Sequence, residues 1–188
     1  MPAGRKVALI RGINVGRSKR VPMAELRALI EDFGYTDVRT LLNSGNVVFT
    51  APKDTPAESA TRIEKALLVR VDVAARVVVL TQAELSTMIA ENTLLEVADD
   101  PSKLIVAVPL NLADLPKLEQ LLAQDWDGDA IALGSRAAYL WCAGGILESR
   151  LPQTVSRTFK DAVTTRNWAT MLKLRELLAE KSPGPVSA

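Results

Sequence analysis

The chain has 188 residues, 48% hydrophobic, 24% charged and 4% aromatic, with a formal net charge of +1. That balance excludes a disordered chain, which combines low hydrophobicity with high net charge, and the length suits one average domain or two small subdomains that need no disulfide or metal staple. There is no histidine and a single cysteine, Cys142, which excludes Ser-His-Asp and Cys-His nucleophile activation, two-histidine zinc motifs, an intramolecular disulfide and a thiolate metal cluster. A lone thiol fits a reducing compartment, and no apolar run approaches the roughly 18 residues of a membrane span. The N-terminal residues read as neither a signal peptide nor an anchor, so a cytoplasmic protein without membrane association is expected.

The near-continuous apolar run Lys6-Val7-Ala8-Leu9-Ile10 predicts a central strand buried on both faces. A polar loop follows over 11–20. Pro22 is expected in the first turn of a helix whose buried stripe is Leu26, Leu29, Ile30 and Phe33, with Gly34 ending it. Val38, Thr40 and Leu42 mark a second strand and Val47-Val48-Phe49 a third. Between them Asn43-Ser44-Gly45-Asn46 reads as a hairpin turn in which Asn and Gly tolerate positive φ. Thr55-Pro56-Ala57-Glu58 is a capping box opening a helix through Ile63, Leu67 and Val71, and Arg76-Val77-Val78-Val79-Leu80 is a fourth strand. The order βαββαβ is ferredoxin-like.

Thr81-Gln82-Ala83-Glu84 repeats the capping box and starts a helix with Leu85, Met88 and Ile89. A loop over 91–102, a strand over 103–108 and a helix marked by Leu115, Leu118, Leu121 and Leu122 follow, then the turn Trp126-Asp127-Gly128-Asp129 and a hairpin of 130–133 with 137–142. The rest reads as a short helix near 146–151, a segment around 154–163, and a last helix carrying Trp168, Met171, Leu172 and Leu178, with Thr165-Arg166-Asn167-Trp168 at its start. The expected fold class is α+β: a ferredoxin-like βαββαβ subdomain over 1–81, a connecting helix and loop over 82–102, and a second α+β subdomain of order βαββα over 103–188.

Four segments in order, Arg11-Gly12-Ile13-Asn14-Val15-Gly16, Val21-Pro22-Met23, Asn43-Ser44-Gly45-Asn46-Val47-Val48-Phe49 and Thr165-Arg166-Asn167-Trp168, resemble the motifs of the bacterial family known as domain of unknown function 1697. The resemblance covers almost the whole chain. It implies two α+β subdomains, the first ferredoxin-like, and it implies no assigned activity. Arg17 stands where that family usually has a second glycine, and Asn92-Thr93-Leu94-Leu95 stands where it usually has an Asn-Pro-Phe type segment.

The small net charge conceals a polarised chain. Arg11, Arg17, Lys19 and Arg20 lie within ten residues without an acid, and Arg150, Arg157, Lys160, Arg166, Lys173 and Arg175 face Asp161 alone, whereas 84–129 carries ten acids and two bases. If the basic segments meet they attract an anion. The expected ligand is phosphate-bearing, a nucleotide or nucleic acid, held in a basic cleft between the subdomains by Arg11, Gly12, Asn14, Gly16, Arg17, Lys19, Asn43, Ser44, Asn46, Arg166 and Asn167. The competing reading makes 11–20 a structural crossover, the Asn-rich turn an ordinary hairpin, Asn167 or Thr165 a helix cap and Arg166 a salt-bridge partner. The alternative function is a histidine-free enzyme using Arg, Lys or Asn to stabilise an anionic substrate. The Gly12–Gly16 spacing matches neither phosphate-loop fingerprint, Ser44 has no base to activate it, and no cofactor or metal is assigned. Phe49 is the one aromatic on the central strands, which is not the stacking surface of an RNA-binding sheet.

Overall fold

β1 (Arg5–Arg11) runs between two antiparallel neighbours, and its apolar run is explained by burial on both sides: Val7, Ala8 and Leu9 have no exposed surface. The structure is a computed structural model that describes residues 4–14, 20–160 and 162–180. The described residues divide into two compact units, 4–83 with 173–180 and 84–172.

In the first unit β2 (Thr36–Leu41), β3 (Asn46–Thr50) and β4 (Arg76–Thr81) complete a four-stranded antiparallel sheet of order β2-β3-β1-β4. With α1 (Met23–Glu31) and α2 (Pro56–Val71) in the connections, this is the ferredoxin-like arrangement. Strand alternation sends Ala8, Ile10, Val47, Phe49, Val77 and Val79 toward Leu26, Ile30, Ile63 and Leu67 of the helices. Each of these side chains larger than Ala8 contributes about 1.5–3 kcal/mol on burial. Phe49 is thus a core residue, its ring stacked on Tyr35 at 5.0 Å. The opposite face carries Arg5, Val7, Leu9 and Arg11.

Local signals account for the element ends. The Thr55 hydroxyl accepts from the Glu58 N–H at 3.2 Å and the Glu58 carboxylate accepts from the Thr55 N–H at 2.7 Å, closing the capping box of α2. Pro22 precedes α1 instead of occupying its first turn, and Gly34 takes φ +79 just past its end. A register shift between Thr36 and Arg39 bulges β2, with Asp37 at φ 53.

The second unit contains α3 (Gln82–Ala90) from residue 84 onward, β5 (Leu104–Pro109), a 3-10 helix (Leu112–Leu121), β6 (Ala130–Leu133), β7 (Ala138–Trp141), α4 (Leu151–Thr158), β8 (Val163–Asn167) and the first turn of α5 (Trp168–Ala179). Its sheet is antiparallel with order β6-β7-β5-β8, the same wiring as the first sheet. The expected βαββα therefore lacked a strand: Thr165 and Arg166 belong to β8, not to the start of the last helix. The helix expected near 146–151 begins at Leu151 instead, where Pro152 suits a first turn and Leu151 and Val155 are buried one turn apart; Leu147 is 96% exposed in the preceding loop. Leu115, Leu118 and Leu121 recur every three residues, matching the 3-10 period, while Leu122 falls off that stripe and is exposed. At the Trp126–Asp129 turn Asp127 and Gly128 both have positive φ, as a type I′ turn requires.

Candidate functional site

The end of the first sheet where β1 stops and β4 starts gathers most of the described candidate residues. Gly12 leaves β1 at φ +90 and Asn14 takes φ 55, a value asparagine tolerates. Between them Ile13 is buried in the same core as Val21, so both limbs of the loop are anchored by apolar side chains. Asn14 then ties these ends together: its side-chain oxygen accepts from the Val21 N–H at 2.8 Å, and its amide donates to the Val21 carbonyl at 3.0 Å and the Asn43 carbonyl at 2.9 Å. Asn14, expected as a ligand contact, is the clamp that joins the loop to the turn. Gly16, Arg17 and Lys19 lie outside the described residues.

The turn is braced from several sides. The Ile10 N–H donates to the Gly45 carbonyl at 2.8 Å, and a Cβ on Gly45 would sit 2.9 Å from both Ile10 Cβ and the Ile10 carbonyl oxygen. The wholly buried Asn46 amide donates to the Leu41 carbonyl and the Ser44 hydroxyl, each at 3.0 Å. Positive φ falls on Leu42 and Gly45 here, not on an asparagine. Asn43 and Ser44 are left exposed at the tip.

Arg11 pairs with Arg76 in the β1–β4 register, so both side chains leave the same face of the sheet at this end. Arg76 is 65% exposed and lies 3.9 Å from Glu64, a contact too long and too wet to neutralise it. Sequence reasoning missed Arg76. Its signal was the topology itself: in a βαββαβ sheet the start of the fourth strand lies beside the end of the first.

Arg166 and Asn167 belong to the second unit. Asn167 caps α5, its side-chain oxygen accepting from the Thr170 N–H at 2.9 Å and the Thr170 hydroxyl at 2.6 Å. Arg166 is opposite Val106 in the sheet, and its guanidinium donates to the Thr164 hydroxyl at 3.0 Å and the Thr165 carbonyl at 2.7 Å. Burial pushes its pKa down to about 10. On the same sheet face the Tyr139 hydroxyl donates to the Met88 carbonyl at 2.5 Å and its ring meets Trp168 edge-on at 6.4 Å.

The acidic turn residues bond to backbone N–H groups of the chain itself. Asp125 accepts from the Asp127 N–H at 3.0 Å and Asp129 from the Ala143 N–H at 2.8 Å. Among the described residues no group of three or more acidic or cysteine side chains is placed to hold a metal ion. Cys142 is buried, and burial raises its thiol pKa above the ordinary value, the wrong direction for a reactive nucleophile. No helix among the described residues is long and apolar enough to cross a membrane.

The family model described as Protein of unknown function (DUF1697) matches residues 4–139. The chain belongs to that family. The match covers the clamp, the turn and both arginines of the sheet end, so these features are part of the DUF1697 region of the chain. The structure of the conserved bacterial protein SP0830 from Streptococcus pneumoniae is similar over 93% of this chain and 98% of that one, with a TM-score of 0.74 and 22% identity, a likeness of fold. Comparison with curated proteins found no match.

Proposed function

We propose that the protein is a binding module that holds a phosphate-bearing ligand, a nucleotide or a nucleic acid, at the Arg11–Arg76 end of the first sheet. The observation that carries the reading is the cross-strand pairing of Arg11 with Arg76 beside the clamped turn. Two like charges directly opposite each other weaken a sheet, and an anion between them turns that repulsion into attraction. Asn14, Val21 and the turn are already held by the Asn14 and Asn46 side chains, so little ordering of these residues is left for the ligand to impose. Arg20, exposed where the loop returns to Val21, adds a further positive charge to the segment that Asn14 ties down. The one thiol being buried, the module suits a reducing cytoplasm.

Fluorescence anisotropy with labelled nucleotide and labelled single-stranded RNA and DNA at several salt concentrations tests the reading. Binding that weakens with salt and is lost in R11Q and R76Q supports it. Flat traces at low salt for every labelled ligand would overturn it.

A further inference from the structure

We infer that the turn between β2 and β3 reads a nucleobase, so that the ligand at this end is a nucleoside phosphate and not a bare anion; the inference rests on the phosphate-binding reading of the Arg11–Arg76 pair. Two adjacent side chains of the turn carry it. Leu42 sits at φ 58, a conformation disfavoured for leucine and easy for glycine or asparagine. Its side chain is not compensated by the core, since the residue is 55% exposed. Packing thus gives no reason for a leucine there, whereas an apolar surface for a planar ring does. Asn43 follows. Its carbonyl is taken by Asn14, but its side-chain amide is exposed and has no partner among the described residues. An amide presents one donor and one acceptor side by side, the pair that matches the edge of a base.

Position agrees with chemistry. Leu42 and Asn43 follow the end of β2, two strands from β1 in the order β2-β3-β1-β4. The arginine pair on β1 and β4 therefore lies two to three strand spacings away, about 10–15 Å, which a nucleoside phosphate bridges when a long guanidinium side chain reaches toward it. The platform is rigid, because the turn is held by Ile10, Asn14 and Asn46 at once. Phe49 is buried in the core, so the base lies on an aliphatic side chain and not on an aromatic of the sheet.

The test titrates the full chain with inorganic phosphate, the four common nucleoside monophosphates and a short single-stranded oligonucleotide of the preferred base. The best monophosphate is expected to bind at least roughly tenfold more tightly than inorganic phosphate, the worth of burying part of an apolar side chain. L42G and N43A should each shrink that preference by roughly tenfold, and L42G should raise Tm by relieving the backbone, which shows that it folds. Tighter binding of the oligonucleotide than of the monophosphate identifies a nucleic-acid strand as the source; equal binding identifies a free nucleotide. If phosphate binds and no monophosphate binds better, the base-reading turn is overturned and the phosphate site stands. If neither phosphate nor any nucleotide binds, both are overturned.

Discussion

Arg11 stands directly across from Arg76 on neighbouring antiparallel strands, at the last paired position of the two. Like charges in that geometry destabilise the pairing, and Arg76, 65% exposed and 3.9 Å from Glu64, is only weakly neutralised. R76Q should therefore raise the stability of the ligand-free protein by up to about 1 kcal/mol at low ionic strength, with the gain shrinking as salt screens the pair. Urea denaturation at low and high salt measures this. A gain of the same size at both salt concentrations would point to something other than charge.

Asn14 makes its hydrogen bonds to backbone groups of two separate segments. N14A leaves the Val21 N–H and two carbonyls without these partners and should cost about 1–3 kcal/mol. N14D keeps the acceptor for Val21 but turns a carboxylate toward the carbonyls of Val21 and Asn43, so it should not restore stability. Hydrogen exchange at the Val21 amide should accelerate in both variants. Unchanged protection there would mean that the loop is held by Ile13 and Val21 packing alone.

Gly45 and Gly34 both have positive φ, at +78 and +79, yet a side chain meets different surroundings. Nothing lies within 4 Å of a Cβ on Gly34, so G34A should cost about 1–2 kcal/mol for the left-handed backbone alone. At Gly45 the Cβ meets Ile10 at 2.9 Å, including the carbonyl oxygen of a central strand that cannot move freely. G45A should cost about 3 kcal/mol or more and lower Tm further than G34A. Equal losses would show that the turn can lift away from β1.

Asp54 accepts from the Tyr35 hydroxyl at 2.5 Å and pairs with Arg62 at 2.6 Å, and these contacts, the hydroxyl first, hold its carboxyl below the usual 3.8. As pH falls the unfolded chain takes up this proton before the folded one does. The stabilisation is therefore complete above the unfolded value and is lost as pH drops through the lower, folded value. Acid unfolding of D54N should lack this component, and the stability difference between wild type and D54N should narrow below about pH 4. Parallel acid-unfolding curves for the two proteins would contradict it.

The first sheet was readable because its signals are local. Apolar alternation, a capping box at Thr55 and a glycine after α1 each act within a few residues. β8 was not readable, because an edge strand needs little burial: Val163 and Thr164 are buried, Thr165 is exposed, and Arg166 and Asn167 are intermediate. The helix over 112–121 was readable as a helix but not as a 3-10 one: Leu115, Leu118 and Leu121 fit either period, and only the exposure of Leu122, expected on the same stripe, separates the two. In the candidate site, residue types singled out a loop and a turn that the fold ties together, but not the division of labour among their side chains. Asparagine 14 and asparagine 46 have the same chemistry as Asn43, and only their hydrogen-bond partners show that they brace the backbone. Arg76 was hidden because its neighbour, Arg11, is distant in sequence and near only through strand pairing.

The shared wiring of the two sheets supplies an internal comparison. The last pair of the inner and outer strands is Arg11 with Arg76 in one sheet and Pro109 with Val163 in the other. One wiring thus carries a charged rim in one copy and an apolar rim in the other, so placing an arginine pair at 109 and 163 asks directly whether affinity for an anion follows the rim or the scaffold beneath.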